Sequence, residues 1–390
     1  SRGEEDEAME PMVLVDADGK PVGKIGDGEP VIFYDLRGER EIQLTSCFTE
    51  AGFDHFDTGG ALNPFVTMIE YKQGLGVQVA YPPENSVLPD SLGETLSKAG
   101  KRQARVAESE KGVHVTYFLN GKSEIQFEGE ERFLVESHHV ANVADEPDMK
   151  AAEVAATASE KIRDESYHFI AVNIANGDVI GHIEDKGPIL QALNTVDTAI
   201  GTMVEAGMAA GVDLIVTADH GLTEKWLYPE GTVDTGHTNS PVPFIYISSD
   251  GWKPVLRDDI SLVDLAPTVL EVIGVDVPDA MTGKSVFAEP MPHGRHRRVA
   301  LIIADGWGHN DDAHGNCIHE ADTPVMDALM ETHPWTTAIA SGLPLGMPEG
   351  SVGNSECGHM HIGAGRVIYS DRVKIDRDIE SGGIRDNEAF

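Results

Sequence analysis

The sequence predicts an α/β fold: a mainly parallel sheet covered by helices, with a smaller second lobe of different texture. Three observations carry this. Short continuous apolar runs recur along the chain, as expected of strands buried on both faces: FIAVNI at Phe169–Ile174, DLIVT at Asp213–Thr217, FIYI at 244–247 and VALIIA at Val299–Ala304. Between them apolar residues recur at helical spacing, and such strand–helix alternation implies a parallel sheet with helices on its faces. The first 83 residues lack this alternation and read as part of a separate lobe.

In chain order, residues 13–34 (VLVDADGKPVGKIGDGEPVIFY) read as two short strands with Asp-Gly turns. Arg37 and Arg40 follow, and Tyr81-Pro82-Pro83 reads as a hinge into the larger part. After the strand at 169–174, Ile189, Leu193, Val196, Ile200 and Met203 fall at spacings of four and three, on one face of a helix. Residues 262–273 (LVDLAPTVLEVI) predict another helix, with Pro267 as an irregularity. A Pro- and Arg-rich joint, EPMPHGRHRR at 289–298, precedes the last predicted strand. The division expected is therefore 1–83, 84–290 and 291–390, and no internal repeat is found.

Bulk properties narrow the function. With 390 residues and 41% apolar content the chain can bury a large core. A formal charge of −37 repels nucleic acid and anionic membranes, so neither is an expected partner. The field also opposes a phosphate ester, so a site for one needs local positive charge. No window reaches the roughly 18 apolar residues of a spanning helix, and the acidic opening SRGEEDEAME is not a secretory signal. Three cysteines, Cys47, Cys317 and Cys357, show no pair spacing. They suit small buried thiols in a reducing, cytoplasmic compartment.

Polar chemistry follows directly on the apolar runs. Asp305 comes after VALIIA, Asp178 soon after FIAVNI, and Asp219-His220 after DLIVT. In open parallel sheets ligands bind beyond the carboxyl ends of the strands, so three distant segments can meet at one rim. Asp178 and His182 stand four apart, and His237 adds an imidazole. A mixed Asp/His set suits Mn²⁺ or Zn²⁺ better than Mg²⁺. Together these ligands could hold two ions roughly 4 Å apart, as two-metal phosphoryl enzymes do. Singly, each residue is more often a cap or a hydrogen-bonded core group. Ser355, in the glycine-flanked Gly353-Asn354-Ser355-Glu356, reads as a nucleophile at a loop-to-helix turn. The plainer alternative for an isolated GNSE is a helix cap.

Longer motifs then decide. LIIADGWG (301–308), ADTPVMDAL (321–329), GNSECGHMHIGAGRVIYSD (353–371), AESEKGVHVTYFLNG (107–121), NGDVIGH (176–182), TADHG (217–221) and HTNSPVPF (237–244) resemble the cofactor-independent phosphoglycerate mutases of the alkaline-phosphatase superfamily. The resemblance implies an alkaline-phosphatase-like sheet and a partial transferase lobe. It also implies two divalent ions, Mn²⁺ first, with Zn²⁺, Co²⁺ or Mg²⁺ as alternatives. Asp305, Ser355, Asp219 and His220 would hold one ion; Asp178, His182 and His237 would hold the other. Ser355 would carry the phosphoryl group between the 3- and 2-hydroxyls of glycerate. Lys111 would neutralise phosphate oxygens, Asn354 would hydrogen-bond the phosphate, and Arg37 and Arg40 would grip substrate anions through forked donors. A monomeric enzyme acting on a small phosphoglycerate is expected.

The order of the motifs departs from the family. There the DGWG and GNSE segments begin the protein and TADHG lies near its end; here they follow it. Met291 sits where the family starts, joined to GKSVF (283–287), which resembles the family's usual end. His-Ser-His, GRDT-like and GRYYAMDRD-like motifs of the transferase lobe are not found, either as a property of the molecule or because that portion lies outside this chain. Gly177, Gly236, Asp35 and Ile42 also differ from the pattern, and the lack of a basic residue at 42 is expected to weaken substrate grip. The alternative function is therefore a metal-dependent phosphomonoesterase, in which water intercepts the phosphoserine.

Overall fold

The structure is a computed structural model, and it describes residues 12–36, 41–58, 62–72, 74–82, 88–140 and 142–390. Two compact units emerge: one of Ser1–Glu84 with Lys374–Phe390, the other of Asn85–Val373.

The smaller unit holds a three-stranded parallel sheet in the order β1 (Val31–Phe33), β2 (Phe65–Ile69), β3 (Gln78–Tyr81). Helix α1 (Glu41–Thr49) packs on β2, where Phe48 and Phe33 meet Phe65 at ring distances of 5.5 and 6.0 Å. The strand expected near residues 13–16 is not formed: Val15 and Pro21 make only an isolated bridge. Met12 to Val15 are exposed, so no buried face rewards pairing there, and Pro21 has no N–H to extend a ladder. Arg37 and Arg40 lie outside the described residues, as does Pro83 of the expected hinge.

The larger unit is an eight-stranded sheet. Its strands are β4 (Gln103–Glu108), β5 (Glu130–Val135), β6 (Phe169–Ile174), β7 (Asp213–Thr217), β8 (Val242–Ile247), β9 (Ile260–Ser261), β10 (Val299–Ala304) and β11 (Trp335–Ile339). Their order is β5-β4-β6-β10-β7-β8-β11-β9. From β5 to β7 every pairing is parallel; β8 runs antiparallel to both neighbours. The strands at 169–174, 213–217 and 299–304 are buried along their whole length, as continuous apolar runs require. Each fully buried Ile or Leu contributes on the order of 2 kcal/mol.

Helices cover the sheet: α2 (Leu92–Lys98), α3 (Ala151–Arg163), α4 (Asn176–Gly181), α5 (Lys186–Ala210), α6 (Leu265–Ile273), α7 (Cys317–Glu320), α8 (Pro324–Thr332) and α9 (Ser355–Ala364). A further helix, α10 (Asp371–Ser381), leads into the last residues of the chain. Helix α5 starts where the Asp185 carboxylate accepts the Gly187 N–H, and it ends where Gly211 turns left-handed at φ 66°. Its apolar stripe, Ile189 to Met203, is buried as the spacing predicts. The expected helix at 262–273 begins as a 3₁₀ turn (Leu262–Asp264) and continues as α6. Pro267 causes no break, because it lies in the first turn of α6, where the helix needs no N–H. Among the described residues no helix is long and apolar enough to cross a membrane, and all three cysteines are free and buried.

Candidate metal centre and nucleophile

Strand order builds the site. β4, β6, β10 and β7 are consecutive and parallel, so their carboxyl ends share one rim. Lys111 follows β4, Asp178 lies in α4 just after β6, Asp305 follows β10, and Asp219-His220 follow β7. All five are buried. Ser355 is the first residue of α9, and the Asn354 side chain caps that helix by accepting the Cys357 N–H at 2.8 Å. The cap leaves the Asn354 amide nitrogen, 3.9 Å from Met347 Sδ.

The Ser355 hydroxyl is the meeting point. Its Oγ lies 2.8 Å from Lys111 Nζ, 2.9 Å from His220 Nε2 and 3.1 Å from Asp305 Oδ1. Lys111 also donates to Asp178 Oδ2 at 2.6 Å and to Asp305 Oδ1 at 2.9 Å. Beside this cluster His237 Nε2 lies 3.1 Å from Asp178 Oδ1 and 3.1 Å from His182 Nε2, and His182 Nε2 is 3.2 Å from Asp178 Oδ1. Every expected metal ligand is thus in one place.

The electrostatics of the cluster call for positive charge. Burial alone would push Lys111 and His220 down. The carboxylates of Asp305, Asp178 and Asp219 outweigh it, holding the Lys111 ammonium above its ordinary value and pushing His220 up to about 9. Asp178 and Asp219 move the opposite way. Burial would raise them, but His182, His237 and Lys111 around Asp178, and His220 and His359 around Asp219, hold both carboxyls well below the usual range. Close by, burial next to His359 and Lys111 pushes His114 down to about 4, so its ring is neutral.

The residues fit a pair of divalent cations. Two groups, Asp178–His220–His237 and Asp219–His220–Asp305, each bring their ligand atoms within 4.8 Å of one another. His220 belongs to both groups. The fully buried Asp219 Oδ2 lies 3.3 Å from His359 Nδ1, which bonds the Ser355 carbonyl more closely at 2.9 Å, so this oxygen keeps lone-pair capacity for a cation. The imidazoles are set the same way. Nδ1 of His182, His220 and His237 faces a backbone carbonyl, of Thr235 at 2.7 Å, Gly221 at 3.3 Å and Gly353 at 3.0 Å. A carbonyl only accepts, so each Nδ1 carries a proton, and Nε2 is the atom each ring can offer to a cation in place of its second proton. Nε2 of His182 and Nε2 of His237 lie only 3.1 Å apart, a separation that a shared proton or a bound cation stabilises.

A parallel α/β sheet with this donor set at its carboxyl rim defines an α/β metalloenzyme. The chain belongs to the metalloenzyme superfamily, whose sequence profile matches residues 24–277 and 297–381. It is 39% identical over 290 residues to the 2,3-bisphosphoglycerate-independent phosphoglycerate mutase of Syntrophotalea carbinolica, covering 74% of this chain and 55% of that one. Over 287 residues it is 40% identical to the corresponding protein of Methanococcoides burtonii, covering 72% and 55%. Among solved structures, Leishmania mexicana phosphoglycerate mutase at low cobalt concentration matches with a TM-score of 0.50 and 28% identity, over 70% of this chain and 53% of that one. The resemblance read from the motifs and the alkaline-phosphatase-like fold are both borne out. The chain spans about half the length of the curated relatives it matches.

Sequence reasoning missed Asn173 and His359, both fully buried at the site. One signal was available: Asn173 is the one polar residue in the apolar run FIAVNI.

Proposed function

We propose that the chain is the catalytic part of a phosphoglycerate mutase that interconverts 3- and 2-phosphoglycerate through a phosphoserine at Ser355. The observation that supports this most is the Ser355 hydroxyl. It stands within 3.1 Å of an ammonium, an imidazole and a carboxylate, at the N-terminus of a helix, in a chain whose relatives bear that name. Ser355 Oγ would attack phosphorus, forming the serine O–P bond as the substrate's O3–P bond breaks, and the serine proton would pass to the released 3-oxygen. The glycerate 2-hydroxyl would then attack the phosphoserine, breaking the serine O–P bond and returning a proton to Ser355. Lys111 would offset charge on the phosphate oxygens during both transfers. Oriented N–H groups at the start of α9 favour an anion there. Asn354, with its amide nitrogen free of the cap, would donate to the phosphate.

Asp178, His182 and His237 would hold one divalent ion, and Asp219, His220, Asp305 and Ser355 the other, with Mn²⁺ first among Mn²⁺, Zn²⁺, Co²⁺ and Mg²⁺. When bound, the ions supply charge that lowers the pKa of the serine hydroxyl and polarises the phosphoryl group. Arg37 and Arg40 would grip the substrate. The division into a partial transferase lobe (1–83) and a phosphatase-like domain in two parts (84–290 and 291–390) belongs to the same reading, as do a monomeric state and a cytoplasmic location.

A second reading rests on the chain spanning about half of its relatives: a phosphomonoesterase, with water taking the phosphoryl group from Ser355. One experiment separates them. With Mn²⁺ and 3-phosphoglycerate, ³¹P NMR should record 2-phosphoglycerate; inorganic phosphate without isomer would favour the esterase. Ser355→Ala should lower either activity by on the order of 10⁴-fold or more. Turnover that survives this change would remove Ser355 from its role.

A further inference from the structure

Behind the ligands lies a fully buried pair whose hydrogen-bond geometry admits one arrangement. On α9, His359 Nδ1 is 2.9 Å from the Ser355 carbonyl and 3.3 Å from Asp219 Oδ2. Both are acceptors only, so Nδ1 carries a proton. The Asn173 amide nitrogen, on β6, is 3.0 Å from Nε2 and 2.6 Å from Asp305 Oδ2. A reversed amide would set its oxygen against the Asp305 carboxylate, so the nitrogen faces both groups and Nε2 accepts, carrying no proton. The two N–H groups of Asn173 therefore go to Asp305 and His359, and its oxygen is left buried with no partner.

We infer that Asn173 and His359 are positioning residues which lock Asp305 and Asp219 in place relative to Ser355. The links run unbroken from the Ser355 carbonyl through the His359 ring and the Asn173 amide to Asp305. With Oδ2 of Asp305 held from behind, Oδ1 is turned to Lys111 and Ser355. Asp219 is held likewise: Oδ1 accepts the N–H groups of Gly306 (3.2 Å) and His220 (3.1 Å), while Oδ2 faces His359. The orphaned Asn173 oxygen is the cost of this arrangement, since a buried acceptor without a donor loses the hydrogen bonds that water would supply. A residue chosen only for packing in a buried strand would be apolar.

This inference rests on the metal-centre reading, and the experiment separates the two. Mn²⁺ is titrated into the metal-stripped full chain against a chelating dye, for the unaltered protein, Asn173→Ala and Asn173→Leu. The unaltered protein should bind, and both variants should bind about 10–100-fold more weakly. Leucine restores the bulk but not the donor, so recovery of affinity in Asn173→Leu would mean that Asn173 only fills space, and would overturn the inference. An unaltered protein that takes up no Mn²⁺ would overturn the metal centre itself. A measurement without variants at position 173 stands beside these. In the Zn²⁺-loaded, ¹⁵N-histidine-labelled protein, His359 (assigned by its loss in His359→Gln) should carry its proton on Nδ1 alone. A proton on Nε2 would overturn the inference.

Discussion

The site turns on how few cations face its carboxylates. Asp178, Asp219 and Asp305 meet at one place, and Lys111 reaches two of them as well as the nucleophile. Lys111→Met keeps much of the side chain's bulk and removes the charge. It should lower kcat for phosphoryl transfer by on the order of 10²–10³-fold, followed by ³¹P NMR. Because no metal ligand is removed, Mn²⁺ uptake should persist. An unchanged kcat would take Lys111 out of the mechanism. Sequence made the three aspartates legible because each follows an apolar run, and Lys111 legible through the family motif in which it stands. It did not reveal Asn173 and His359 as partners: their roles depend on which atoms they face across 186 positions of chain.

At the scale of elements, the nucleophile is placed by how closely α9 approaches the loop after β7. A Cβ on Gly358 would lie 2.4 Å from the Asp219 carbonyl oxygen, and one on Gly363 would lie 1.9 Å from that of Leu119. Both neighbours are backbone and cannot swing away. Gly358→Ala should therefore push α9 off its seat and destabilise the fold by about 1–3 kcal/mol. It should also weaken Mn²⁺ binding through Asp219. Thermal unfolding and the dye titration check these effects, and a variant as stable as the parent would refute the close approach. The helices were legible in sequence where an apolar stripe recurred at helical spacing, as in α5. The false strand near residue 15 had apolar residues and a turn, but nothing to bury them against.

At the scale of the larger unit, the joint at 289–298 is pinned by Arg295. Its guanidinium donates to Asp213 Oδ2 and Asp250 Oδ1 at 2.8 Å and to Ser248 Oγ at 2.7 Å, and it lies over the Trp252 ring at 4.6 Å. Hydrogen bonds from Arg295, and after it Ser248 and Arg297, hold the Asp250 carboxyl well below the usual carboxylate range. A carboxyl depressed in the folded state adds stability above its unfolded pKa of about 4, and that stability is lost as pH falls below this value. Asp250→Asn should therefore lower Tm at pH 7, and the gap to the parent should narrow progressively below about pH 4. A gap that stays constant down to pH 2.5, roughly 1.5 units lower, would contradict the pairing.

The sequence by itself determined the strands at 169–174, 213–217, 242–247 and 299–304, the helices α5 and α6, and the residues that could ligate a metal. Apolar periodicity and motif chemistry are local properties, written within a few residues of each other. Only the tertiary structure decided that β10, late in the chain, lies between β6 and β7. Strand order follows from which buried faces pair through space, and one-dimensional spacing carries no record of it. That insertion brings Asp305 between Asp178 and Asp219, and it sets Asn173 and His359 behind them.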